Sequence, residues 1–187
     1  MGEHHTELGK VSAPKYVRLE HERRFLVDPD SAWRLPLKPY SKQIEDRYLA
    51  CGRLRLRRAL DSETGRVTFK LTKKFESPSS FSQPIVGVEL SLAEYQALAS
   101  LPGHDLSKTR HYDELDGRVF SVDVFRGRLA GLILCETEAD TVETLHAIRF
   151  PLYAGWEVTE ERSFTGGSLC RADRQEIEAA MARVRGR

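Results

Sequence analysis

Alternation between apolar and polar residues, with a period of two, recurs along most of the chain and predicts a series of short β-strands. Successive side chains of a strand point to opposite faces, so a strand with one buried face carries this alternation. Turn-forming residues such as Asp and Gly separate most of the segments, which is typical of antiparallel hairpins. The pattern predicts strands at 18–27, 43–50, 53–59, 66–73, 85–90, 108–115, 118–126, 132–138 and 156–159.

Two segments follow the helical period instead. Ser91 and Glu94 form a capping box at the start of 92–100, where apolar residues fall on one helical face. Asp173 is expected to cap a final helix over 173–185, whose apolar residues also share a face. Helices are therefore few, and the strands dominate the predicted fold.

About eight strands at short spacing favour a closed antiparallel barrel over an open sheet. The predicted fold class is α+β, mainly β, with an eight-stranded antiparallel β tunnel, or barrel, and a few flanking helices. A chain of 187 residues suits one domain. Residues 1–14 carry no apolar periodicity, so we expect a disordered N-terminal tail there and a single domain over 15–187.

The composition is that of a soluble globular protein, with 40% hydrophobic and 30% charged residues. No apolar run approaches the roughly 18 residues of a membrane span, and no signal peptide is visible. Cys51, Cys135 and Cys170 form an odd set without metal-binding spacing, which favours free thiols in a reducing compartment. We therefore expect a cytoplasmic protein without a membrane partner.

Charged residues share a face on several of the predicted strands. On the first strand, Glu20, Glu22 and Arg24 lie on one side. Such a face is either solvated or lines a polar cavity that needs its charges. The later strands with a shared charged face carry Arg53, Arg55 and Arg57; Lys70; Lys108 and Arg110; Asp123; and Glu136 and Glu138.

For any one strand, a solvent-facing surface is the simpler interpretation. For the whole set a cavity is favoured, because strands of a single sign would place like charges side by side in a solvated sheet. A cavity that holds a multiply charged anion and a divalent metal explains both signs, since Arg and Lys bind phosphate oxygens and Mg²⁺ or Mn²⁺ prefers carboxylates. Nucleic acid is disfavoured as a partner, because no aromatic residues are interleaved with the basic run at 53–58.

The order of these charged strands resembles the CYTH, or triphosphate tunnel metalloenzyme, family. The run Glu20-His21-Glu22-Arg23-Arg24 is similar to the family's Glu-x-Glu-x-Lys, with Arg24 where lysine is usual. A second departure is the segment 85–89, which keeps only Glu89 where relatives often carry alternating acids. The matching motifs that follow along the chain are Leu-Arg-Leu-Arg at 54–57, Phe-Lys-Leu-Thr-Lys at 69–73, Lys-Thr-Arg at 108–110, Val-Asp at 122–123, Glu-Thr-Glu at 136–138 and Glu-Val-Thr at 157–159.

The resemblance implies a β tunnel that binds a linear triphosphate along its axis with a divalent cation, Mg²⁺ or Mn²⁺. It implies catalytic roles for Glu20, Glu22 and Arg24. The triphosphate ligands that it implies are Arg55, Arg57, Lys70, Lys108, Arg110 and Arg162. The metal ligands that it implies are Glu20, Glu22, Asp123, Glu136 and Glu138.

The function expected from the resemblance is metal-dependent hydrolysis of a triphosphate-containing small molecule. Inorganic tripolyphosphate is the first expected substrate, and nucleoside or thiamine triphosphates come next. Two alternatives stay open: a module that binds polyphosphate or a nucleotide without turnover, and an adenylate cyclase of class IV. A homodimer is a further open possibility. Arg24 bears on this choice, because arginine keeps the positive charge of lysine but cannot release a proton at working pH.

Overall fold

The computed structural model describes residues 16–50 and 52–187. The disordered tail predicted at 1–14 and the residue Cys51 lie outside this range. The strands are β1 (Arg18–Val27), β2 (Ser41–Leu49), β3 (Leu54–Asp61), β4 (Val67–Lys74), β5 (Ser82–Leu90), β6 (Gly103–Leu115), β7 (Arg118–Phe125), β8 (Ile133–Ala139) and β9 (Ala154–Glu157). The α-helices are α1 (Leu92–Ala99), α2 (Val142–His146), α3 (Gly166–Leu169) and α4 (Arg174–Arg185).

The strands form one antiparallel sheet in the order β5-β4-β3-β2-β6-β7-β8-β1-β9, and β1 also pairs with β5. This extra pairing joins the two ends of the order and closes eight strands into a barrel. The first part of β1 pairs with β5, while its last residues pair with β9. Because β9 shares an edge of β1 with β5, it is an addition to the barrel wall. The predicted closed eight-stranded antiparallel barrel is confirmed.

One end of the barrel is filled by apolar side chains, which we call the end core. Leu26, Leu106, Phe125 and Leu134 extend from the strands into this cluster. Helix α4 packs on them with its buried face, and α3 contributes Leu169. The C-terminal helices therefore cover this end of the barrel. The buried residues of α4 are Ile177, Ala180, Met181 and Val184.

A second apolar cluster, the side core, lies on the outer face of β1, β7 and β8. It includes Phe25, Phe120, Val122 and Cys135, and it is covered by Tyr153 and neighbouring residues of the segment that precedes β9. On these strands the residues of the side core therefore point outward, and the residues that alternate with them point into the barrel.

The predicted helices start where their capping boxes indicated. Ser91 accepts from the backbone of Glu94 at the start of α1, and Asp173 accepts from the backbone of Glu176 at the start of α4. Cys135 and Cys170 are free and buried. Among the described residues, none of the helices combines the length and the apolar character that a membrane span needs.

Candidate active site inside the barrel

Strand register places the predicted charged residues on the inner face of the barrel. Directly opposed residues of antiparallel strands project to the same side. Arg24 lies opposite Glu136 and is followed at the same parity by Leu26, which belongs to the end core. In the same way Arg110 lies opposite Asp123. The charged side chains therefore continue the inner face that the end core closes.

Six of the predicted site residues form one hydrogen-bonded cluster, the central network. Arg24 donates from Nε to Glu136 Oε1 over 2.7 Å and also pairs with Glu22. Arg110 links Glu136 to Asp123, with Nη2 at 3.1 Å from Glu136 Oε2 and Nε at 2.7 Å from Asp123 Oδ1. The sixth member is Lys108, which also pairs with Asp123. Residues from four strands are thereby joined inside the barrel.

Burial and charge act against each other in this network. The Asp123 side chain is 0% exposed. Burial would raise its pKa, but Arg110 and Lys108 outweigh burial and hold the pKa well below the usual range. Glu136 is also buried, yet Arg24 and Lys108 lower its pKa to about 2. Both acids are therefore charged at neutral pH and neutralised by their cations.

Glu22 of the central network also belongs to a set of three acids at one side of that network. Glu22 lies opposite Glu138 on the adjacent strand. Burial and the charge of Glu136 raise the pKa of Glu22, while partial burial and the charges of Glu20 and Glu22 raise that of Glu138. Glu20 accepts a hydrogen bond from Lys74 Nζ over 3.0 Å. Burial would raise the pKa of Glu20, but Lys74, Arg55 and Arg18 outweigh burial and lower it. In this acid group, Glu20, Glu22 and Glu138, the pKa is therefore raised for Glu22 and Glu138 alone.

A cavity of about 370 Å³ opens beside both clusters, near the turn between β6 and β7. Glu22 and Glu138 from the acid group line it, together with Arg110 and Glu136 from the central network. Ser121 adds a hydroxyl to the same wall. A ligand in this cavity would contact acids and cations at once.

Arg55, Arg57 and Lys70 form a basic wall of the barrel, which has fewer acids than the central network or the acid group. Arg55 donates from Nη2 to the Thr72 hydroxyl over 3.3 Å, while its buried Nε has no hydrogen-bond partner. Lys70 lies against Gly87 on β5, where an added Cβ would come within 2.6 Å of Lys70 Cε. The absence of a side chain at Gly87 therefore leaves room for the lysine side chain.

Arg162 lies apart from these clusters. It begins a single 3₁₀ turn, Arg162–Phe164, and is exposed. The buried residue of this turn is Phe164, which belongs to the end core. Within the described residues the Arg162 side chain forms no ion pair with the barrel interior.

Two charged residues of the inner face were missed from the sequence. Asp46 on β2 lies opposite Arg57 and accepts two hydrogen bonds from it. Its signal was an acid at the same strand parity as Ile44 and Tyr48, which otherwise form an apolar face. Lys74 continues the parity of Lys70, but it lies one residue beyond the predicted end of that strand.

Comparison with known proteins identifies relatives of this barrel. A stretch of 96 residues is 29% identical to the inorganic triphosphatase of Nitrosomonas europaea; it covers 50% of this chain and 64% of that protein, which is less than two thirds of the relative. The crystal structure of the inorganic triphosphatase NE1496 matches with a TM-score of 0.52 and 25% identity, over 82% of this chain and 95% of that one. The resemblance to the triphosphate tunnel family is confirmed.

The triphosphate tunnel fold extends to a more distant structure, the PH1819 protein from Pyrococcus horikoshii OT3. It matches with a TM-score of 0.50 and 18% identity, over 68% of this chain and 82% of that one. At this identity the match shows a shared fold and nothing further. No family model matches the chain.

The donor set of the tunnel fits a divalent metal at the acid group better than at the central network. Asp123 and Glu136 are already neutralised by Lys108, Arg110 and Arg24. Among the described residues, no three acid, histidine or cysteine side chains are grouped as a preformed metal site. Mg²⁺ usually binds through one or two carboxylates and completes its shell with water and substrate phosphates, so a shared site with substrate is consistent with this arrangement.

Acid should destabilise the tunnel through Asp46. Burial opposes ionisation of this carboxylate, but Arg57 outweighs burial and lowers its pKa from 3.8 to about 2. As pH falls, the unfolded chain therefore binds the proton first, and Asp46 stabilises the folded state only while it is charged. We expect about 2 kcal/mol of stability, fully present above about pH 4, to be lost as pH falls to about 2. Urea unfolding across this range should show the loss, and an equally steep acid dependence in Asp46→Asn would contradict it.

Proposed function

We propose that the protein is a divalent-metal-dependent hydrolase of triphosphate-containing substrates, with inorganic tripolyphosphate first among them. The observation that carries this proposal is the cavity near the turn between β6 and β7, where the acid group and the central network meet. Opposite charges on one cavity suit a polyphosphate anion bound together with a cation. The inorganic triphosphatases that resemble the chain support the same chemistry.

In this proposal the basic side chains bind and orient the triphosphate. Arg110 lines the cavity, Arg24 belongs to the same central network, and Arg55, Arg57 and Lys70 form the basic wall. Guanidinium groups bind phosphate oxygens in pairs, and the ammonium of a lysine acts as a point charge. Lys108 lies deeper and supports Arg110 through their common partner Asp123. Arg162, which is exposed, could reach the substrate only from outside the barrel.

The acid group would hold the metal, Mg²⁺ or Mn²⁺, through Glu20, Glu22 and Glu138. Burial and the charges of neighbouring acids raise the pKa of Glu22 and Glu138, and a divalent cation would offset those charges. When bound, it supplies Lewis-acid polarisation of a phosphoryl oxygen. Asp123 and Glu136 accept hydrogen bonds from Arg110 and Arg24, and their expected role as metal ligands stays a prediction.

The reaction is an in-line attack of water on a terminal phosphorus. The bridging P–O bond breaks, and the arginines stabilise the negative charge that develops on the leaving diphosphate. The proton of the attacking water passes to a carboxylate that lines the cavity. Orthophosphate and diphosphate are the products.

Phosphate release measured with tripolyphosphate, ATP and thiamine triphosphate tests the proposal. We expect release from tripolyphosphate with Mg²⁺ or Mn²⁺ and none after chelation of the metal. Formation of cyclic AMP from ATP would instead identify a cyclase, and tight binding without any product would identify a binding module. The cytoplasmic location and the homodimer stay predictions.

A module that binds triphosphate without turnover is the second candidate. Its motivation is Arg24, which stands where lysine is usual and is held by Glu22 and Glu136. Burial disfavours its charge, but Glu22 and Glu136 outweigh burial and raise its pKa, so Arg24 cannot release a proton. If Arg24 acts by charge alone, Arg24→Lys should keep hydrolysis within about tenfold, while Arg24→Met should lose more than about 100-fold. Initial rates with tripolyphosphate measure both. A large gain in the lysine variant would show that the natural arginine holds the chemistry back.

A further inference from the structure

Three arginines inside the barrel are each held by an acid that lies directly opposite on the neighbouring strand. In every pair the guanidinium donates through Nε, so the acid occupies one edge of the planar fork. In Arg24 and Arg110 a second acid also contacts Nη2, Glu22 in the first and Glu136 in the second, whereas in Arg57 the edge formed by the two terminal nitrogens is left to bind another anion. The three pairs are Arg24 with Glu136, Arg110 with Asp123, and Arg57 with Asp46.

The third pair contains the one acid of the three, Asp46, that is not among the site residues expected from the family. Asp46 is 1% exposed and accepts from Arg57 Nε over 2.6 Å and from Nη2 over 2.7 Å. Arg55 Nε lies 3.9 Å from the same Oδ1, so one carboxylate serves both arginines of the basic wall. Arg57 keeps 17% of its side chain exposed, and within the described residues its Nη1 makes no hydrogen bond.

We infer that Asp46 is a positioning residue, which holds the Nε edge of Arg57 so that the opposite edge faces the triphosphate. The inference rests on the proposed triphosphate substrate. A free arginine side chain would lose its rotational freedom when it binds phosphate, whereas a guanidinium fixed in advance has already lost it. The same carboxylate keeps two neighbouring guanidiniums from repelling each other before substrate arrives.

The first test needs no substrate. In protein labelled with ¹⁵N at arginine, the Nε–Hε signal that disappears in Arg57→Lys identifies Arg57. In wild type this proton should exchange slowly with solvent, because its hydrogen bond to a carboxylate is buried; in Asp46→Asn it should exchange at least about tenfold faster. An Arg57 signal with the same exchange rate in Asp46→Asn would overturn the inference.

The second test measures tripolyphosphate binding by calorimetry. Asp46→Asn should raise the Kd about tenfold, but less than about twofold in an Arg57→Lys background, because Asp46 acts through the fork of Arg57. An equal loss in both backgrounds would show a merely structural role and overturn the inference. If wild type shows the protected Arg57 signal but binds no tripolyphosphate, the proposed substrate is overturned and the orientation of Arg57 by Asp46 stands.

A matched control lies one residue away on the same strand pair. Glu45 on β2 pairs with Arg58 on β3 over 3.2 Å, but on the outer face and 58% exposed. Glu45→Gln should leave the Kd within about twofold of wild type. Should Asp46→Asn not fold, Asp46→Glu keeps the charge but moves the carboxylate along a longer side chain. It should raise the Kd several-fold, and an unchanged Kd would overturn the inference.

Discussion

Replacing Glu22 with glutamine is expected to lower the metal-dependent turnover of tripolyphosphate by more than about 100-fold. Glu22 lines the cavity and lies opposite Glu138, so its charge is part of the acid group that would hold the metal. Glutamine keeps the shape of the side chain and an oxygen that can accept from Arg24, but it removes the charge. Because Glu22 repels Glu136, the substitution should not lower the free energy of unfolding.

Initial rates across a range of Mg²⁺ concentrations measure this effect, and urea unfolding checks the fold. Glu114→Gln is the matched control, because Glu114 pairs with Lys38 at the surface and is 46% exposed. Its turnover should equal that of wild type. Full activity in Glu22→Gln would exclude the acid group as the metal site. If the protein binds without turnover, the same substitution should abolish the effect of Mg²⁺ on the Kd for tripolyphosphate.

The alternation of apolar and polar residues within each strand predicted the barrel, because it shows which residues of that strand share a face. On β7, Asp123 is flanked by Val122 and Val124, and the structure places Val122 in the side core and Asp123 inside the barrel. The positions where strands begin and end depend instead on pairing with the neighbouring strands. Strand β6 begins at Gly103, five residues before its predicted start at 108, because 103–107 pair with β2 although Leu106 is the only large apolar residue among them.

The partners of the charged residues depend on register between strands, which no single strand encodes. The sequence showed that Asp123 and Glu136 share the face of the other site acids, but it did not show which cations lie opposite them. In the structure, Arg110 lies opposite Asp123 and Arg24 lies opposite Glu136. Asp46 was not predicted as a site residue for the same reason, since its role depends on Arg57 on the adjacent strand.

Removal of the Asp123 charge should be the most damaging single change to stability. Asp123→Asn leaves Lys108 and Arg110 buried with one shared acid fewer, and both hydrogen bonds from Arg110 would lose their charged acceptor. Breaking a buried ion pair from one side typically costs about 3–5 kcal/mol. Urea unfolding at neutral pH should therefore show a loss of about this size in the free energy of unfolding.

A surface pair provides the contrast. Asp116 pairs with Arg149 over 2.9 Å, with both side chains more than 60% exposed, and Asp116→Asn should cost less than about 1 kcal/mol. The double variant Asp123→Asn with Lys108→Met should recover part of the loss, because it removes one of the two cations left without a counter-charge. A loss in Asp123→Asn no larger than in Asp116→Asn would mean that water or a displaced acid reaches the buried cations. The central network would then be a flexible lining of the cavity, and the fixed orientation of Arg110 would have to come from the substrate itself.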